Sequence, residues 1–285
     1  MRRFGSVFAV LLLLACAPEP RGDDDVGGSD SESDSTSTSE SETGTTETDT
    51  TQTDTTPTSD TSEPEGPRVL FIGNSYTFYN DLPGLFVAIT AASGEPWIVD
   101  SIAIAGATVA DHLANPEVAT TLAEGWDHVV IQGQSYEPIA DQATFEQAVV
   151  DLAALVDETS PGAELVLYET WAREAGNPLL AELGLTPEQM QQGLSDGYAA
   201  AAQASGARVA PVGQAWAQAL VEAPTIDLFD PDGSHPSLAG SFLADCVFFA
   251  VLTGQPAATS DYVPAGLAAS DADLLEPLAD QAAGL

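Results

Sequence analysis

Arg68-Val69-Leu70-Phe71-Ile72-Gly73-Asn74-Ser75-Tyr76 opens the part of this 285-residue chain that has the composition to fold. After Arg68, Val69 to Ile72 form a short apolar run with β-branched and aromatic members. Gly73 closes the run, and a serine follows at once. A continuous apolar run of this length, bounded by a turn residue, predicts a strand buried on both faces. What comes after it decides the architecture. Asp81 to Ala92 reads as a helix with Pro83 in its first turn. Trp97 to Ile104 alternates as a strand, and Gly106 ends it. Thr108 to Leu122 is helical, with a break expected at Asn115-Pro116.

The same alternation continues. His128 to Ile131 is a strand, and Asp141 to Val156 is a helix carrying Phe145, Val149, Leu152 and Val156 at helical spacing. Glu164 to Tyr168 is a strand and Thr186 to Ala204 a helix. Arg208 to Val212 is a strand, followed by the helix Gln214 to Val221. Pro236 to Leu252 reads as a strongly apolar helix, and Asp245 within it argues against a membrane span. Strand then helix, repeated about five times, predicts an α/β fold: a three-layer α/β/α sandwich around a parallel, roughly five-stranded sheet of the flavodoxin-like kind. In such sheets functional groups gather at the carboxyl ends of the strands. Ser75, Gly106 and Gln134 each follow a predicted strand end, so all three are expected on one edge.

Near the other end stands Asp232-Gly233-Ser234-His235-Pro236-Ser237. Asp-x-x-His can set a carboxylate against one imidazole nitrogen and leave the other free. With Ser75 it completes the residue set for an activated alcohol nucleophile. About 160 residues separate the serine from the histidine, so only a whole domain can bring them together. Each residue also has a plainer use: serine caps helices, Asp-Gly makes turns, and His235-Pro236 can simply lead into the next helix. His112 and His128 read as structural or solvated. No paired His/Cys/carboxylate spacing suggests a metal, so no metal site and no cofactor is expected. Tyr76, Tyr79, Tyr136 and Trp171 fall in loops near the same edge, as pocket walls or as packing.

Taken together, Gly73-Asn74-Ser75, Gly106 in Ala105-Gly106-Ala107, Gln132-Gly133-Gln134-Ser135 and Asp232-Gly233-Ser234-His235 resemble the four motif blocks of the SGNH hydrolases, also called the GDSL esterase/lipase superfamily. Order, strand context and spacing match across nearly the whole folded part. The resemblance implies a serine esterase with Ser75, His235 and Asp232 as its triad. It also implies an oxyanion hole from the N–H groups of Ser75 and Gly106 and the side chain of Gln134. Two residues depart from the family pattern. Asn74 stands where an aspartate is usual, and the third block has Gln134 in place of asparagine, with Ser135 as the alternative donor. The implied substrate is a small acyl ester or acylated carbohydrate, with O-acetyl groups of a glycan as one class. The rival reading is a non-catalytic glycan-binding or adhesion module on the same fold.

The amino terminus speaks to location. Arg2 and Arg3 precede the apolar run Val7 to Leu14, which is too short to span a bilayer stably. Leu13-Leu14-Ala15-Cys16 resembles a bacterial lipobox, so residues 1–16 read as a lipoprotein signal with Cys16 as the lipidated residue. Ala17 fits sorting to the outer membrane or cell surface. Residues 17–66 are almost wholly Ser, Thr, Asp, Glu, Gly and Pro and read as a disordered acidic tether. Residues 67–285 read as the hydrolase-like domain. Cys246, in an apolar run, is expected to be a buried, inert thiol. The net charge of −38 repels phosphate backbones, so no nucleic-acid partner is expected, and the only membrane contact would be through the lipid.

Overall fold

A computed structural model describes residues 66–285. The expected signal peptide, Cys16 and most of the tether lie outside the described residues. Five strands, β1 (Arg68–Gly73), β2 (Ile98–Ala103), β3 (His128–Ile131), β4 (Glu164–Tyr168) and β5 (Arg208–Ala210), form one sheet. Their order is β2-β1-β3-β4-β5, and every pairing is parallel. Among the described residues eleven α-helices lie between and after them: α1 (Ser75–Phe78), α2 (Leu82–Ala92), α3 (Val109–Ala114), α4 (Pro116–Leu122), α5 (Glu137–Ala140), α6 (Gln142–Thr159), α7 (Pro178–Leu183), α8 (Pro187–Ser205), α9 (Val212–Glu222), α10 (Leu238–Thr253) and α11 (Ala269–Ala283). The break expected at Asn115-Pro116 separates α3 from α4, because Asn115 is extended and caps α4 through its side chain.

The alternation within β1 builds the two cores. Val69 and Phe71 point into one layer, which includes Phe86, Trp216, Phe242, Phe248 and Leu275 from α2, α9, α10 and α11. Leu70 and Ile72 point into the other, against Val109, Val118, Phe145, Leu152 and Tyr198 from α3, α4, α6 and α8. A strand buried on both faces has no place for a polar side chain, and this is why its sequence is a solid apolar run. The three-layer expectation is therefore met, with β1 an interior strand between β2 and β3. Chain order reverses at β1, since β2 lies on one side of it and β3 on the other. The crevice at the carboxyl end of β1 is thus the switch point where such sheets place ligands.

Helix α10 is buried on every side from Ala239 to Leu252, as expected of a helix apolar all round. Cys246 within it is buried, as expected, and burial pushes its thiol far up. Asp245 is the exception in this helix. It is fully buried, and neither carboxylate oxygen has a hydrogen-bond partner among the described residues. Burial, with Asp81 adding repulsion, raises its carboxyl well above the ordinary value, which favours the protonated form. A raised native value means the unfolded chain releases this proton from about pH 4 upward while the folded chain keeps it. Stability from this residue is therefore full in acid and is lost as pH rises toward the native value. Asp245→Asn cannot ionise and removes the dependence. Urea midpoints measured from pH 5 to pH 8 should fall less with pH in the variant than in the parent, and parallel slopes would refute this assignment.

Candidate active site

Gly73 ends β1 where no larger residue fits. A Cβ there would lie 2.2 Å from Thr77 Oγ1 and 2.8 Å from Gln132 Oε1. The next residue, Asn74, caps α1: its Oδ1 accepts from Tyr76 N at 3.3 Å. Ser75 is then the first residue of α1, half-buried at the carboxyl edge of the sheet. Its Oγ lies 2.9 Å from His235 Nε2. His235 Nδ1 lies 2.5 Å from Asp232 Oδ2. The three sequence-predicted residues thus form one hydrogen-bonded chain across 160 positions of sequence.

The turn carrying Asp232 and His235 is built to hold that geometry. Asp232 Oδ1 accepts from Ser234 N at 2.8 Å and from His235 N at 2.9 Å, leaving Oδ2 for the ring. Burial pushes the Asp232 carboxyl up, but the bonds from the His235 ring and from these two N–H groups outweigh it. The net value is below the usual carboxylate range. An ionised Asp232 requires His235 to carry its proton on Nδ1, and Nε2 is then free to accept from Ser75.

Tyr79 stacks flat on the His235 ring, with centroids 4.1 Å apart and planes at 11°. The segment that brings it there is bent through two consecutive left-handed residues, Asn80 (φ 55°) and Asp81 (φ 54°). Such values are costly outside glycine, although asparagine and aspartate tolerate them best. Asn80 Nδ2 offsets the cost by donating to Pro236 O at 3.0 Å and to Ser241 Oγ at 2.9 Å. The nucleophile segment is thereby tied to the residue after His235.

Gly106 and Gln134 sit in the loops after β2 and β3, on either side of Ser75. Gly106 has φ +71°, and nothing lies within 4 Å of the place a Cβ would occupy. Its requirement for glycine is therefore the left-handed backbone and not close packing around it. Among the described residues neither the Ser75 N–H nor the Gly106 N–H has a hydrogen-bond partner. Gln134 is half-buried; its Oε1 accepts from Tyr136 N at 3.1 Å. That bond fixes the amide with its NH2 group unpartnered among the described residues. Ser135, the alternative donor, is buried with its Oγ accepting from Arg173 at 2.7 Å.

Asn74 explains its own departure from aspartate. Its Nδ2 donates to Ala107 O at 3.1 Å and to Gly133 O at 3.4 Å, while its Oδ1 accepts from Gln132 Nε2 at 2.7 Å. An ionised aspartate has no proton for those two carbonyls. One buried amide therefore registers the neighbours of Ser75, Gly106 and Gln134 against each other. Gln132 completes the knot by accepting from Asn74 N at 3.1 Å and Thr77 Oγ1 at 2.8 Å.

Of the four loop aromatics, Tyr76 and Trp171 are fully buried and stack at 4.3 Å, with Trp216 beyond at 3.8 Å. Their rings pack, the Tyr76 ring also meeting that of His235 edge-on at 5.6 Å, and Trp171 Nε1 donates to Ser234 O at 3.0 Å. Tyr136 packs beside Ile139 and Leu179 in a small satellite cluster, and Tyr79 alone of the four stacks on the imidazole. His112 is structural, buried with Nε2 2.9 Å from Gly73 O. His128 stacks on Trp97 at the far end of β3, away from the site. Sequence reasoning missed Asn80, Gln132 and Arg173. Arg173 did leave a signal, as a rare cation in a strongly acidic chain, placed just after a predicted strand.

No family model and no curated protein matches this sequence. Among solved structures, it is similar to a protein of Slackia heliotrinireducens classed with the SGNH hydrolases. Identity is 32%, the match covers 65% of this chain and 97% of that one, and the TM-score is 0.57. It shares its fold with a lipase/acylhydrolase from Enterococcus faecalis at 22% identity, covering 66% and 96% with a TM-score of 0.52. An acetylxylan esterase from Geobacillus stearothermophilus has the same fold at 18% identity, covering 65% and 93% with a TM-score of 0.50.

Proposed function

Because the chain belongs to the SGNH hydrolase family, we propose that it is a serine esterase for small acyl esters, held at the cell surface by a lipid on Cys16 and lifted from it by residues 17–66. The observation that carries the reading is the unbroken chain from Asp232 Oδ2 through the His235 ring to Ser75 Oγ. Ser75 Oγ attacks the ester carbonyl while His235 Nε2 takes its proton. The carbonyl oxygen becomes an oxyanion held by Ser75 N–H, Gly106 N–H and the Gln134 amide. His235 returns the proton to the departing alcohol, leaving an acyl group on Ser75. Water, deprotonated by His235, then attacks this acyl-enzyme; collapse of the second tetrahedral intermediate releases the acid, and Ser75 regains its proton. Asp232 holds the imidazole tautomer throughout.

The substrate class we assign is an O-acyl ester on a neutral carrier, with acetylated glycans first. A net charge of −38 disfavours anionic carriers. The fold shared with an acetylxylan esterase makes acetylated neutral sugars the first compounds to try. The test is hydrolysis of p-nitrophenyl acetate and of a panel of acetylated sugars by the full chain, with a phosphonate probe to label the nucleophile. Absence of both turnover and labelling would leave the binding-module reading. Gln134→Leu tests the hole. Losing its amide donor should lower kcat by about 10²–10³-fold with KM little changed, and a kcat within threefold of the parent would remove Gln134 from the oxyanion hole.

A further inference from the structure

Arg173, in the loop after β4, is one of three arginines between positions 66 and 285, a stretch without lysine. Arg208 pairs with Glu164 at 3.1 Å, and Arg68 lies over the Trp126 ring. Arg173 is only 9% exposed and has no carboxylate within ion-pair distance among the described residues. Burial pushes its guanidinium down to about 10, with the charge of Asp232 partly opposing the fall, so it remains charged at neutral pH. A buried cation without a contacting carboxylate is expensive to keep. Its hydrogen bonds show what it is used for.

One arm of the guanidinium donates to the Tyr76 phenol oxygen, and the other to Ser135 Oγ at 2.7 Å. The Tyr76 hydroxyl in turn bonds Ser234 Oγ at 2.9 Å. The three residues reached are chain neighbours of the site: Tyr76 follows Ser75, Ser135 follows Gln134, and Ser234 precedes His235. Asn74 registers the nucleophile against the oxyanion donors. Nothing in that knot reaches the histidine.

We propose that Arg173 is a positioning residue whose planar fork sets the nucleophile and oxyanion segments in register with the histidine turn. Geometry favours arginine, because two fixed N–H directions meet two acceptors on different segments, whereas a lysine ammonium is a point charge on a flexible stem. The consequence for turnover rests on the esterase reading; the consequence for the geometry does not. A misplacement on the order of 1 Å at the reacting groups costs about 10²-fold in rate.

The experiment is Arg173→Ala in the full chain, assayed with and without millimolar guanidinium. A cavity of about 140 Å³ lies beside Arg173, lined also by Ala172, Gln191, Trp216 and Ala217, and gives the free ion a way in. The expected result is a fall in kcat of about 10- to 100-fold with KM changed far less, partly restored by guanidinium and not by methylammonium. Full kcat in the folded variant, or a loss that follows the unfolded fraction and is not rescued, overturns the proposal. If Arg173→Ala does not fold, Arg173→Lys replaces it: a reduced kcat supports the fork, and a parental kcat overturns it. If the parent hydrolyses no ester, the esterase reading fails by itself. The proposal is then decided by the His235 ring resonances in histidine-labelled protein. They should shift in the folded variant and return with guanidinium, and unchanged resonances overturn it.

Discussion

Ser75→Ala should leave a folded protein whose ester hydrolysis has fallen by about 10⁴–10⁶-fold, the largest effect expected of any single change. In the proposed mechanism the variant loses the atom that forms the acyl bond, and His235 is left with no serine proton to take. The fold should tolerate it well. Asn74, not Ser75, caps α1, and Ser75 Oγ bonds nothing but His235 Nε2 among the described residues. Unfolding free energy should therefore change by no more than about 1 kcal/mol, the worth of one ordinary hydrogen bond. Steady-state rates and a urea titration on the same preparation separate the two effects. Phosphonate labelling that survives in the variant would exclude Ser75 as the nucleophile. Adding His235→Ala to Ser75→Ala should cost almost nothing further, because the residues act as a unit.

Asp232→Asn should cost about 10⁴-fold in kcat while the turn keeps its shape. The asymmetry of the Asp232 carboxylate is the reason. Its Oδ1 holds Ser234 N and His235 N, and only Oδ2 faces the ring. Asparagine can keep the first two bonds with its own oxygen, which turns its NH2 group toward His235 Nδ1. That nitrogen must then accept, so the ring proton moves to Nε2. The base needed by Ser75 is thereby converted to a donor. The expected signature is lost kcat with KM and folded structure preserved. It should be accompanied by a change of His235 tautomer visible in the ring nitrogen resonances. Near-parental kcat would mean that Asp232 does not set the tautomer.

The fold was legible because its signals are local. The run Val69 to Ile72, the glycine after it and the helical spacing of Phe145, Val149, Leu152 and Val156 each lie within one element. Strands β3 and β4 lie at their expected residues, His128–Ile131 and Glu164–Tyr168. The short helices α1, α5 and α7 went unread, since four to six residues show too little periodicity. The long helix α11 was also not read. The positions of Ser75, Asp232 and His235 were legible because a strand ends just before the serine and a short Asp-x-x-His turn holds the other two. Their partners were not. Asn74 looked like a lost charge, and its value as a donor appears only once Ala107 and Gly133 stand on either side of it.

From residue order alone came a doubly buried parallel sheet and a hydroxyl, an imidazole and a carboxylate bound for its carboxyl edge, because apolar period and turn chemistry act over a few residues at a time. Only the folded chain decided how the amides and cations were spent: Gln134 with its NH2 group left over, Ser135 consumed by Arg173, Asp245 sealed in without a partner. Those outcomes depend on which donor meets which acceptor across loops that follow different strands, and no local pattern encodes such a meeting.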